Sequence, residues 1–164
     1  MPLVLIQADN PKHIVQVRDL FLEYAESLGF NLCFQDFETE LARLPGDYVP
    51  PYGRLVLALL ESMPVGCAAL HRLTKDICEI KRLYVRPAYR GRRIGSELTE
   101  HMIIAARMIG YVRMRLDTIA PSMAEAIKIY RRIGFKEIPP YRENPIKGAV
   151  YLELSLAEAR LPSR

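Results

Sequence analysis

The chain has no tryptophan, and its 164 residues include only three histidines (His13, His71, His101) and three cysteines (Cys33, Cys67, Cys78). No two cysteines form a C-x-x-C pair and the histidines are scattered. That pattern argues against a zinc site or a disulfide framework and suits a reducing cytoplasm. No apolar run approaches the ~18 residues that a bilayer-crossing helix needs. The opening stretch "MPLVLIQADNPKH" lacks the basic start and long apolar segment of a secretory signal, so none is expected. Internal repeats, low-complexity tracts and linker-like stretches are also missing. With 50% hydrophobic and 26% charged residues the composition is globular, and the length implies one domain over residues 1–164, its core within about 3–155.

What the chain does have is unevenly placed positive charge. The stretch "KRLYVRPAYRGRR" holds Lys81, Arg82, Arg86, Arg90, Arg92 and Arg93 and no acid. It contributes +6 to a net charge of +4, which leaves −2 for the rest. Such a cluster can be a nucleic-acid patch, a solvated loop or a cradle for a phosphorylated ligand. A nucleic-acid binder spreads its basic residues over a face wide enough to follow a phosphate backbone. Here the excess sits in one short segment, so the expected target is small and local, with neither nucleic acid nor membrane as a partner.

Apolar spacing places these residues on elements. "LVLIQA" (Leu3 to Ala8) reads as a strand, and Asn10-Pro11 as the cap and first turn of a helix. That helix runs to about Leu28, with Ile14, Val17, Leu20, Phe21 and Tyr24 along its stripe. "FQDFETELARL" is a second, shorter helix stopped by Pro45-Gly46. "RLVLALLE" (Arg54 to Glu61) and "VGCAALHR" (Val65 to Arg72) read as strands joined at Ser62-Met63-Pro64, and "CEIKRLYV" (Cys78 to Val85) as a third. Their short connections predict an antiparallel meander. A helix is predicted over Ile94 to Ile109, then the strand "VRMRLDT". Ser122 and Glu125 are spaced as a capping box for a helix to about Ile133, with Gly134 just past its end. "FKEI" and "AVYLELSL" close the chain as strands. The order β-α-α-β-β-β-α-β-α-β-β implies an α/β (α+β) fold on a mixed sheet, with a β-α-β crossover after residue 85.

"RGRRIGSEL" therefore lies between a strand and the start of a helix. A helix N-terminus offers unbonded N–H groups and the positive end of its dipole to an anion. Gly91 and Gly95 remove side chains where backbone must approach a ligand, and nearby arginines add charge toward a pyrophosphate. A plain basic loop, with Gly95 relieving packing, is the other reading of this segment taken alone, behind phosphate binding.

Two motifs narrow the choice. "YVRPAYRGRRIGSELTEHMI" resembles the acetyl-coenzyme A signature of the GNAT acetyltransferases, Q/R-x-x-G-x-G/A, through Arg90, Arg93 and Gly95, with Ser96 following. The first motif glycine is Arg93 here, and its amide is expected to donate with φ kept negative. "APSMAEAIKIYRRIGFKEI" resembles the later family motif N-x-x-A-x-x-x-Y-x-x-x-G-F through Ala126, Tyr130, Gly134 and Phe135. Met123 replaces the asparagine, and Ser122 beside it is either a polar substitute or a helix cap. The resemblance covers roughly residues 3 to 155. "CEIKRLYV", "MRLDT" and "PPYRENP" further resemble a bacterial GNAT subgroup whose acceptors are rarely assigned.

The resemblance implies a GNAT-like acyl-CoA N-acyltransferase fold with acetyl-CoA as co-substrate and no metal. Main-chain groups of Leu83 and Val85 would pair with the pantetheine arm. Amides of Arg90, Gly91, Arg92, Arg93, Gly95 and Ser96 would hold the pyrophosphate, with Ser122 nearby. An alkylamine of pKa about 10 must lose a proton before attack and the departing thiolate must gain one. Glu79 is the expected base, on the same strand face as Leu83 and Val85 by alternation. Its other reading is a strand carboxylate paired with a basic neighbour. Tyr130 is the expected acid, or else a core tyrosine between Ile127 and Ile133.

The stretches "LGFNLCFQ", "DYVPPYG" and "PPYRENP" would wall the acceptor, with Tyr48, Tyr52, Tyr141 and Asn144 as contacts. His71 and His101 are assigned no catalytic duty. Cys67 and Cys78 are read as structural thiols that adjacent strands could bring together. The expected activity is acetyl transfer to a primary amine of a small molecule by direct attack, in a monomer or homodimer. The alternatives are a non-catalytic acyl-CoA sensor of the same fold, or an acetyltransferase acting on protein or peptide amines.

Overall fold

A computed structural model of the protein describes residues 2–28, 36–120 and 123–162. Its elements follow the predicted order: β1 (Leu3–Gln7), α1 (Pro11–Leu28), α2 (Phe37–Arg43), β2 (Arg54–Leu60), β3 (Met63–Arg72), β4 (Ile77–Val85), α3 (Ile94–Ile109), β5 (Arg113–Ile119), α4 (Ala124–Ile133), β6 (Lys136–Ile138) and β7 (Ala149–Ser155). Asn10 caps α1 as expected, its side-chain oxygen accepting from the His13 amide at 2.9 Å. The cap expected of Ser122 lies outside the described residues.

The strands form one seven-stranded sheet in the order β1-β2-β3-β4-β5-β7-β6. Strands β1 to β4 are antiparallel neighbours, and α3 returns the chain so that β5 runs parallel to β4. The continuous apolar run of β2 reflects burial on both faces. Val56 and Ala58 pack into a core shared with Leu98, Met102 and Ile103 of α3. Leu55 and Leu57 pack into the opposite core, with Val17, Leu20 and Phe21 of α1. The β2–β3 turn is tighter than the sequence implies. Leu60 pairs with Met63, so Glu61 and Ser62 alone make the turn, both at positive φ, and Met63 and Pro64 belong to β3.

The deviation with most consequence is in β4. Lys81 stands opposite Ala69 and Tyr84 opposite Cys67, so three steps along β4 match two along β3. Arg82 carries the extra step, with φ of 59°. The bulge reverses the alternation. Before it, Cys78 and Ile80 face the α3 core; after it, Leu83 and Val85 do. Glu79 shares its face instead with its cross-strand partner His71 and with Tyr84, which packs into the α1 core. The expectation that Glu79 lies on the face of Leu83 and Val85 is thus overturned by one inserted residue.

Arg82 itself is 3% exposed. Its guanidinium donates to both Glu40 oxygens of α2, from Nε at 3.0 Å and from a terminal nitrogen at 2.9 Å, and lies 5.1 Å over the Phe37 ring. A bidentate partner is what makes such a burial tolerable. Glu40→Ala should therefore destabilise the fold by about 3 kcal/mol, because it removes both charge-assisted hydrogen bonds of the bidentate pair from a buried cation. Urea unfolding at neutral pH measures this, and Glu40→Gln should recover part of the loss.

Candidate active site

Only three residue pairs join β4 to β5: Ile77 with Arg113, Cys78 with Met114, and Glu79 with Arg115. Past Glu79 the strands part, leaving a cleft of about 730 Å³ lined by β4 from Ile80 to Val85 and by β5 from Leu116 to Ile119. The Arg86 amide donates to Val65 of β3 at 2.9 Å. Alternation then turns the main-chain groups of Val85 and Leu83 away from β3, toward the cleft. An extended ligand carrying amides can add there as a strand.

One end of the cleft is the start of α3, where Arg90, Gly91, Arg93, Gly95 and Ser96 line it. The first bond within the helix runs from the Glu97 amide to the Arg93 carbonyl at 2.9 Å. The preceding amides, Arg93 to Ser96, are left without intrahelical partners. A Cβ on Gly95 would meet Ile129 and Val85 at 3.7 and 3.9 Å, ordinary contact distances. Packing therefore does not demand glycine there, whereas a ligand lying along the helix end would. Arg93 adopts φ of 63°, so the expectation of a negative φ is not met. Arginine here takes the left-handed turn that the motif glycine would take, at roughly 1–2 kcal/mol.

The basic cluster divides by partner. Arg82 is committed to Glu40, and Arg86 is held by Glu23 at 2.7 Å. Arg93 reaches Glu100 at 3.5 Å while staying largely exposed. Arg90 donates from Nε to the Val85 carbonyl at 3.0 Å. Arg92 lies over the Tyr89 ring at 5.5 Å and does not line the cleft.

Tyr130 of α4 lines the cleft, 5% exposed and tilted against Phe135. Burial raises its pKa, as does the nearby Tyr24, so the phenol stays protonated well past neutral pH.

Glu79 is placed differently from the expected base. It is fully buried and does not line the cleft. It accepts from His71 Nε2 at 2.7 Å and from the Tyr141 hydroxyl at 2.6 Å, and pairs with Arg142 at 2.5 Å. Burial pushes its pKa up, but the His71 hydrogen bond, the charges of Lys81 and Arg142 and the Tyr141 hydrogen bond outweigh it and hold it at about 2. A carboxylate so stabilised is a weak proton acceptor.

The other end of the cleft holds Asp117 of β5, Asn144, and Tyr24 of α1. Asn144 donates to Asp117 at 3.2 Å. Sequence reasoning passed over Asp117, although β5 alternates Met114, Leu116 and Thr118 with Arg113, Arg115 and Asp117. Charges along one face of an interior strand are the signal that a helix does not cover that face. Of the other expected acceptor contacts, Tyr141 serves Glu79 and Tyr48 is buried against Phe21 and His71. Tyr52 lies under Arg72, 3.6 Å from the ring centre, away from the cleft. "LGFNLCFQ" falls largely outside the described residues, as does Ser122. Cys67 and Cys78 belong to opposite cores rather than to one site. Burial pushes both thiols up, Cys78 to about 12. Among the described residues no group of three metal-ligating side chains comes together, and no helix is long and apolar enough to cross a membrane.

The Acetyltransferase (GNAT) domain family matches residues 51–137, which include β2 to β5, the α3 turn and α4. An uncharacterized N-acetyltransferase of Schizosaccharomyces pombe is 36% identical over 150 residues, covering 90% of this chain and 91% of its own. The chain belongs to the GNAT acetyltransferase family. The fold agrees: a GNAT acetyltransferase structure from Staphylococcus aureus superposes with a TM-score of 0.78 at 20% identity, over 94% of this chain and 99% of its own. PaiA N-acetyltransferase of Thermoplasma acidophilum, solved in complex with coenzyme A, gives 0.72 at 15% identity over the same shares.

This GNAT protein is accordingly an acetyl-CoA-dependent N-acetyltransferase, and two of its departures can be tested through stability. Glu79→Gln should cost about 3–5 kcal/mol at neutral pH by uncovering Lys81 and Arg142. Because the folded pKa lies below the unfolded one, the carboxylate's contribution is complete above about pH 4.5 and disappears as pH falls toward 2. Thermal melts of the two proteins should converge across that window. At position 93, Arg93→Gly should be more stable than Arg93→Ala by about 1 kcal/mol, since only alanine keeps the left-handed cost. Equal melting of the two variants would refute it.

Proposed function

We propose that this acetyltransferase moves the acetyl group to the primary amine of a small molecule by direct attack in a ternary complex. The observation that carries this reading is the continuity of the cleft. One space joins the α3 amides, the open edge of β4, the Tyr130 phenol and the Asp117 carboxylate. The pyrophosphate of acetyl-CoA fits the α3 turn, with Arg90 and Arg93 offsetting its charge and Gly95 leaving it room. The pantetheine amides fit Leu83 and Val85, which requires Arg90 to release the Val85 carbonyl. Tyr24 and Ser27 of α1 line this cleft together with Asn144, at the scale of a small amine.

In the reaction the amine nitrogen bonds to the thioester carbon as the carbon–sulfur bond breaks, and the sulfur takes the Tyr130 proton. The amine gives up two protons in all. One passes through Asp117 to water, and the other restores Tyr130 by way of water. Asp117 takes the base role that the sequence assigned to Glu79, because it lines the cleft and Glu79 does not. Glu79 acts as a positioning residue that fixes Tyr141 and Arg142. The buried free thiols of Cys67 and Cys78 support the expected cytoplasmic setting.

Thiol release from acetyl-CoA with a panel of amines, beside calorimetric CoA binding, tests the proposal. Tight binding without turnover for any amine would make the protein an acyl-CoA sensor instead. Tyr130→Phe should lower kcat about 100-fold with little change in CoA affinity; an unchanged rate removes Tyr130 as the acid.

A further inference from the structure

The last residues shared by β4 and β5 are Glu79 and Arg115. Two residues further along each strand, on the same face by alternation, stand Lys81 and Asp117. They flank the point where the sheet opens, and both line the cleft. Strand spacing at the last pair is about 4.8 Å and widens beyond it, which leaves room for a small group between the two side chains.

The ionic partners around them are otherwise assigned. Arg82 is paired with Glu40, Arg142 with Glu79, and Arg115 with Glu153 at 2.7 Å. Lys81 is half-buried, and no hydrogen bond or ion pair joins it to a described residue. Asp117 is met by Asn144 and by no cation within ion-pairing distance among the described residues. A cation and an anion thus flank one throat without an ion pair between them, Lys81 meeting the charges of Glu79 and Glu40 only at longer range. Burial, and then the like charge of Arg82, disfavour the Lys81 ammonium and outweigh the favourable charges of Glu79 and Glu40. An anion arriving beside it would relieve both effects.

We propose that the acceptor is a zwitterion of the amino-acid class, its carboxylate held by Lys81 while its ammonium group approaches Asp117. This rests on the acetyltransferase reading of the same cleft and deepens it from "amine" to "amine with its own carboxylate". A site built to pair an ionic group rejects the analogue that lacks it, because its own charge is left buried and unmatched. Lys81 is then a specificity-determining residue that touches the acceptor and not the donor.

The test measures acetyl transfer to free amino acids, to their α-amides and to the matching decarboxylated amines, in the wild type and in Lys81→Met. The wild type should favour the amino acids over their amides by at least about 10-fold in kcat/KM. In Lys81→Met that ratio should fall to about one, while calorimetric CoA affinity reports that the donor half is intact. Efficient acetylation of amides or simple amines with amino acids rejected would overturn the zwitterion and leave the acetyltransferase standing. So would a loss in Lys81→Met shared equally by all three classes. If CoA binds and no amine is acetylated, the enzymatic reading falls and takes this one with it. Should Lys81→Met fail to fold, the wild-type ratio decides alone.

Discussion

The separation of β4 from β5 after three residue pairs is the constraint on which the rest of the molecule depends. A parallel pair carried to the ends of both strands would satisfy its main-chain groups internally. By stopping at Glu79, the sheet keeps an edge of β4 open in its own interior, where water is scarce and a ligand's amides can take the place of a strand. The two helices that follow β4 and β5 have their first residues beside this opening. One presents unbonded amides to the cleft, the other the Tyr130 phenol.

An open seam inside a sheet must be kept from closing, and buried charges contribute to that. The Arg82 bulge twists β4 just beyond the last pair and is fastened to α2 through Glu40. Glu79 fastens the β6–β7 connection through Tyr141 and Arg142. Both arrangements are costly to desolvate and poor sources of net stability, but strongly directional. They hold the cleft from one face of the same strand, the face that packs toward α1. This is a structural use of residues that a charge count assigns to ligand binding.

The architecture was legible because its physics is local and repeated. Strands buried on both faces read as unbroken apolar runs, and α1 and α3 carry their stripes at helical spacing. The donor end was legible for the same reason: a turn, two glycines and a helix start are contiguous in sequence. The acceptor end was not. Arg82 looks like one more arginine of a basic cluster until the register of β3 shows that it is an inserted residue, and with it every inference from strand parity changes sign. Glu79 looks like an accessible strand carboxylate until His71, Tyr141 and Arg142, far apart in sequence, are found around it. Asp117 and Lys81 gain meaning only because their strands are neighbours and then cease to be.

Arg93 has a consequence of another kind. Glycine and arginine codons can differ by a single nucleotide, so the turn at the start of α3 lies one mutation from the residue that its backbone shape favours. The left-handed geometry persists with arginine in it, at roughly 1–2 kcal/mol. Such a position works as an evolutionary dial between a sturdier domain and one with an additional exposed cation at the cleft. A lineage could move along it in either direction without disturbing the sheet, because the turn keeps its shape with either residue.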